Sequence, residues 1–187
     1  MSAPIRILAF AGSARKDSLN RKLLAVTARA VEAAGGAVTI VDLHDYALPL
    51  YDGDLEDAQG LPENVRRLLT LMQEHAGLLI ASPEYNSQLT PLLKNTLDWL
   101  SRADDDPFEG KVAAVVAASP GAMGGARSLQ HARQLLLNLG CLVVPAQCIL
   151  PKAHEAFDAE GKLLDARAQK SVDALAKQLV GNVMKLA

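Results

Sequence analysis

Apolar residues along the chain fall into short unbroken runs, separated by stretches in which they recur every three or four positions. The runs Ile5 to Ala11, Ala37 to Leu43, Gly77 to Ser82, Lys111 to Ser119 and Cys141 to Leu150 are mostly continuous rather than alternating. That is the pattern of strands in a parallel sheet covered by helices on both faces. The first helical pattern spans about Leu19 to Ala34, with Leu23, Thr27, Ala30 and Ala34 on one stripe and Gly35-Gly36 as its stop. The second follows Pro62 and ends near Glu74. In the third, Thr90 is a candidate N-cap, Pro91 fits the first helical position, and Leu93, Leu97 and Leu100 recur at helical spacing. Asp98 and Arg102 on that helix are expected to pair across one exposed turn. The fourth helix spans about Gly125 to Leu139 before Gly140, and the fifth about Asp165 to Met184, carrying Val172, Leu175, Leu179 and Val183.

Strand and helix alternate from end to end without a linker or a fixed-period repeat. The expectation is a single domain over 1–187, folded as an α/β/α sandwich of three layers around a five-stranded parallel sheet. Ligands of such sheets sit beyond the carboxyl ends of the strands, where the strand order reverses. Three loops then carry the candidate chemistry: Gly12 to Asn20, Ser82 to Leu89 and Ser119 to Gly125.

Composition narrows the classes. With 50% hydrophobic and 21% charged residues the chain is globular, and at 187 residues it needs neither disulfides nor metal to hold a core. The 21 acidic and 19 basic residues are mixed along the chain and leave a net charge of -2, which argues against a nucleic-acid or acidic-membrane partner. The longest purely apolar run, Val112 to Ala118, is far short of the roughly 20 residues of a membrane-spanning helix. The apolar stretch Ile7 to Ala11 is too short for a signal core and reads as a strand. If Cys141 to Leu150 is one strand, Cys141 and Cys148 stand about 23 Å apart at about 3.3 Å per residue and cannot bridge. A reducing, cytoplasmic location is expected. His44, His75, His131 and His154 have no ligand spacing, so each reads as a surface or packing residue and no metal site is expected.

The loop after the first strand offers Ser13, Arg15, Ser18 and Asn20 at the start of a helix, where free backbone N–H groups and the helix dipole favour a phosphate. The alternative is that Ser18 only caps the helix and Arg15 is solvated. One glycine there is too few for GxGxxG or GxxxxGK[ST], so neither the Rossmann nor the P-loop fingerprint is present. The loop after the third strand places Tyr85 where a planar ligand can lie against it, with Glu84 and Asn86 able to bond the ligand's edge; the alternative is an ordinary surface turn. The glycine-rich third loop lets backbone N–H groups approach a flat ring, or is simply a flexible connection.

Three spaced segments resemble the NADPH-dependent FMN reductases, whose relatives include quinone, chromate and azo reductases. They are Gly12-Ser13-x-Arg15-x-x-Ser18-x-Asn20; Ser82-Pro83-Glu84-Tyr85-Asn86 leading into Lys94-Asn95-x-x-Asp98-Trp99; and Ser119-Pro120-Gly121-x-x-Gly124-Gly125. The resemblance covers nearly the whole chain. It implies a flavodoxin-like fold with strand order 2-1-3-4-5, one non-covalent FMN per subunit, and a homodimer or homotetramer in which the third helix contributes to the interface. It maps the phosphate contacts onto Ser13, Arg15, Ser18, Leu19 and Asn20, and the ring contacts onto Pro83, Glu84, Tyr85, Asn86, Ser119, Pro120 and Gly121. Leu48-Pro49-Leu50-Tyr51-Asp52 is similar to a family segment near the neighbouring subunit's flavin.

The implied activity is hydride transfer from NADPH or NADH to FMN, then electron delivery to a flavin, quinone or similar small acceptor by a ping-pong route. Binding and orientation carry such a reaction, and no catalytic side chain is named. A flavodoxin-type electron carrier is the main rival, but those carriers are strongly acidic and this chain is nearly neutral. A non-catalytic FMN-binding module is the second.

Overall fold

The expected parallel sheet is present in a computed structural model, which describes residues 5–186. Its strands are β1 (Ile5–Ala11), β2 (Gly36–Val41), β3 (Gly77–Ala81), β4 (Val112–Ala118), β5 (Leu142–Val143) and β6 (Cys148–Leu150). The order is β2-β1-β3-β4-β5, with β6 also paired to β4, and every pairing is parallel. Helices α1 (Leu19–Ala33) and α6 (Ala166–Leu186) cover one face, and α3 (Glu63–Glu74), α4 (Pro91–Leu100) and α5 (Ala126–Asn138) the other. A short α2 (Gly53–Gln59), which the hydrophobic pattern does not signal, precedes α3; it has no buried residue.

The two faces alternate strictly along the strands. Ile7, Ala9 and Ala11 of β1 join Leu23, Val31, Leu175 and Leu179 in one core, while Leu8 and Phe10 join Leu68, Leu97, Trp99 and Leu136 in the other. Each fully buried Leu, Ile or Phe contributes about 1.5–3 kcal/mol by leaving water. Thr90 caps α4 as expected, its hydroxyl accepting from the Leu93 N–H, with Pro91 at the first position.

Two expectations are corrected. The last strand is not continuous from Cys141 to Leu150. After the Val144 N–H bonds Ala113 O, Pro145 has no N–H to give, and the Ala146 N–H turns to Gln178 Oε1. The ladder resumes at Cys148 opposite Val116. A proline ends a ladder in this way because it removes a donor. Asp98 does not pair with Arg102. The Arg102 guanidinium is drawn to Glu56 by Nε contacts of 3.2 and 2.9 Å, and Asp98 instead takes Lys94, one turn earlier, at 2.7 Å. Both are exposed pairs of small energetic weight.

Candidate functional site

Beyond the carboxyl ends of β1, β3 and β4 lies a cleft of about 340 Å³, within the range of small-ligand sites. It is lined by Ser13, Arg15, Asp17, Ser18, Leu19 and Asn20, by Pro83, Glu84 and Tyr85, and by Ala118, Ser119, Pro120 and His154.

At one end the chain leaves β1 through Gly12, whose added Cβ would lie 2.6 Å from Leu93 Cβ, so only glycine lets the loop sit this close to α4. The Thr90 hydroxyl donates to Gly12 O and ties this turn down. Ser18 then caps α1, accepting from the Arg21 N–H at 3.3 Å. The next two amides, Leu19 N–H and Asn20 N–H, have no partner among the described residues. They are the free donors expected at a helix start. The Asn20 side chain is buried and fully engaged. It donates to Ala118 O at 2.8 Å and accepts from the Ala118 N–H at 3.0 Å, bolting α1 to the end of β4.

At the other end, Tyr85 and Gln88 exchange both backbone hydrogen bonds around Asn86 and Ser87, which have φ of 51° and 67°. Consecutive left-handed residues make this a type I′ hairpin, which projects Tyr85, 48% exposed, at the rim of the cleft. Glu84, which lines the cleft, also reaches the neighbouring helix. Its Oε2 accepts from the Arg127 and Ser128 N–H groups at 2.9 and 3.1 Å. The reason is local: the residue before α5 is Gly125, at φ 88°, which has no side chain to cap with, so a carboxylate from another loop supplies the cap. Ser128 Oγ donates to Pro83 O at 2.7 Å and accepts from Ser82 Oγ at 2.6 Å, adding a buried hydroxyl pair to the same junction. In the third loop Gly124, at φ 61°, would place a Cβ 2.7 Å from Pro151 N, so close approach of β6's end requires glycine here.

Neither cysteine takes part. Both are free and buried, and burial pushes Cys141 up to about 12 and Cys148 up to about 11, where a thiol is inert at neutral pH. Among the described residues no group of three or more His, Cys, Asp or Glu could hold a metal, and no helix is long and apolar enough to cross a membrane.

The family model described as NADPH-dependent FMN reductase matches residues 5–155. The chain belongs to this family. It is 37% identical over 174 residues to an NAD(P)H-dependent FMN reductase of Pseudomonas aeruginosa, covering 92% of this chain and 91% of that one. It is 34% identical over 144 residues to a quinone reductase of Escherichia coli, covering 77% and 76%. Among solved structures it superposes on the flavoenzyme NAD(P)H:(acceptor) oxidoreductase FerB of Paracoccus denitrificans with a TM-score of 0.81, at 30% identity and over 96% and 97% of the two chains. This member of the FMN reductase family is therefore a flavodoxin-like, FMN-dependent oxidoreductase that uses NAD(P)H.

Of the cofactor residues read from the FMN reductase motif, all but Asn86 and Gly121 line the cleft. Asn86 sits at the left-handed hairpin tip, and the Gly121 N–H folds back onto Ser119 Oγ at 3.2 Å. Asn20 and Glu84 line it with side chains that also bond protein partners, Ala118 and the α5 amides respectively. Asp17, Ala118 and His154 were not singled out for the cleft by the sequence. His154 follows β6, so the strand-end rule that selected the other loops would have found it had it been applied to the last strand.

The segment Leu48 to Asp52 is strapped to α4. Asn95 accepts the Tyr51 N–H and donates to Pro49 O, and the Trp99 indole N–H donates to Pro49 O, all at 2.8 Å. Tyr51 packs edge-on against Trp99 at 5.0 Å and donates its hydroxyl to Glu56. Leu50 is left 79% exposed at the crest of the strap.

Proposed function

We propose that the cleft is the FMN site, with the ribityl phosphate at Arg15, Ser13, Ser18 and the free amides of Leu19 and Asn20, and the ring between the Pro83–Tyr85 turn and Ser119–Pro120. The observation that carries this reading is that unpartnered helix-start amides and an exposed guanidinium stand in one cleft with an aromatic rim. That donor set suits a phosphate joined to a flat ring, so the residues fit the cofactor. Bound there, FMN supplies the hydride-accepting and electron-donating chemistry.

The chain's own contribution is placement. Thr90, Asn20 and Glu84 fix the three loops against one another before any ligand arrives, which lowers the ordering cost of binding. Tyr85 covers the ring at the rim. Nicotinamide and acceptor then visit the same open face in turn, a ping-pong sequence, with a flavin, quinone or similar small molecule as acceptor. The chain works as a single FMN-binding domain in the cytoplasm, as a homodimer or homotetramer; sedimentation as a 19.8 kDa species would overturn the oligomer.

The test compares FMN with riboflavin, which lacks the phosphate, in the wild type and in Arg15→Ala. A charged hydrogen bond to phosphate is worth roughly 1.5–3 kcal/mol, about one to two decades in affinity, and Arg15's exposure favours the lower figure. The wild type should prefer FMN, and the variant should lose most of that preference with riboflavin affinity nearly unchanged. Equal losses for both flavins would move Arg15 from the phosphate to the loop or ring. Anaerobic mixing of the yellow wild-type protein with NADPH or NADH should bleach it. Flavin binding without bleaching would favour a non-catalytic module.

A further inference from the structure

His154 belongs to none of the three loops, yet it lines the cleft. The short 3-10 turn Ala153–Glu155 that carries it is fastened to the β4 end, with the Ala153 N–H donating to Ser119 O at 3.0 Å and the Lys152 N–H to Gly121 O at 3.3 Å. Lys152 takes a left-handed φ of 47° to make this turn. The residue next to Ser119 is Ala118, the one that Asn20 bolts to the first turn of α1. His154 and the free amides of α1 are therefore placed by the same short piece of β4.

The imidazole Nε2 lies 3.0 Å from Glu155 Oε1, an exposed pair, while Nδ1 has no partner among the described residues. That leaves Nδ1 as the ring nitrogen that a ligand in the cleft can meet. The other charged residues lining the cleft are Arg15 and Asp17 from the loop after β1 and Glu84, whose Oε2 also caps α5; Lys16, Arg127, Lys152 and Glu155 flank them.

We propose that His154, braced by Glu155, is a phosphate-contacting residue of this cleft, facing Arg15 and the α1 amides across the bound anion. This rests on the reading of the cleft as the FMN site. Two phosphates could meet it: the ribityl phosphate of FMN, or the 2′-phosphate that distinguishes NADPH from NADH. The chemistry is shared, and the arms of one experiment separate the sources.

Dissociation constants for FMN and riboflavin, and KM for NADPH and NADH, are measured on the wild type, His154→Gln and His154→Lys. Loss of one charge-assisted contact should weaken FMN about tenfold in His154→Gln, with riboflavin unchanged and lysine restoring most of the loss. If FMN binding holds while KM rises for NADPH and not for NADH, the phosphate is the co-substrate's and His154 sets nucleotide preference. Equal weakening of FMN and riboflavin, or no change in any of the four constants, overturns the proposal. A wild type that binds FMN no better than riboflavin would instead overturn the placement of the phosphate in the cleft, and this inference with it.

Discussion

Truncating Trp99 to alanine should cost about 3–5 kcal/mol of stability, among the largest losses expected from a single side chain here. Trp99 heads the largest fully buried side chains. It belongs to the core on the α3, α4 and α5 face, and its indole N–H joins Asn95 in holding Pro49 O. The variant leaves a cavity that close-packed neighbours fill only in part, and it removes the face against which the Tyr51 ring rests. For a domain of this size each kcal/mol moves the melting temperature by about 2–4 °C, so a fall of about 6–20 °C is expected. Trp99→Phe keeps most of the packing and loses the N–H, and should cost markedly less. Thermal melts of both variants decide it. A loss below about 1 kcal/mol for alanine would mean that the strap and α4 collapse into the space.

The second large effect should come from Asn20→Ala, which acts on stability and binding together. Removing this amide strands both the N–H and the carbonyl of Ala118 in a buried place. Each orphaned buried group costs roughly 1–3 kcal/mol, so about 2–6 kcal/mol is expected for the pair. Asn20→Asp is a sharper probe: one oxygen still accepts from the Ala118 N–H, but the other faces the Ala118 carbonyl without a proton to offer. Because the bolt sets where α1's free amides stand relative to Ser119, both flavins should bind more weakly, in contrast to the FMN-selective effect of Arg15→Ala. Chemical denaturation with parallel FMN and riboflavin titrations separates the cases. Full stability with selective FMN loss would show that the Asn20 side chain faces the ligand instead.

The contrast between Asn20 and Arg15 shows what was legible in the sequence. The strands, both covering layers and the three candidate loops follow from continuous apolar runs, Gly35 and Gly140 stops and the Thr90-Pro91 start, because burial on both faces of a sheet leaves a pattern within the chain itself; the strand order came from the family resemblance. Residue type at the loops was legible too, and nearly every candidate lines the cleft. The direction of a polar side chain was not. Whether Asn20 faces a phosphate or Ala118 depends on a strand 98 residues further on. Glu84 was expected to bond a ligand's edge, and it caps α5 because Gly125 cannot. The same blindness to distant partners hid Glu56, which takes Arg102 from Asp98. Pro145 was visible as a ladder breaker, but the resumption of pairing at Cys148 needs β4 as a template. His154 was missed because the strand-end rule was not applied to the last strand and a lone histidine adds no spacing signal of its own.

The bolts that hold the cleft also constrain how the molecule is born. Asn20 meets Ala118 across 98 residues, Thr90 meets Gly12 across 78, and Glu84 meets Ser128 across 44. Only the Thr90–Gly12 contact lies within the amino-terminal half; the other two need β4 or α5, and contacts closing such long loops are the slow ones in folding. The cleft thus completes only after β4 has docked beside β3 and α5 has followed. On the proposed placement of FMN in this cleft, the cofactor meets its site only at that stage. It acts on the finished molecule by mass action, adding about 2.7 kcal/mol at a hundred times its dissociation constant. Cells short of the cofactor would accumulate a folded, less robust apoprotein that stays ready to load.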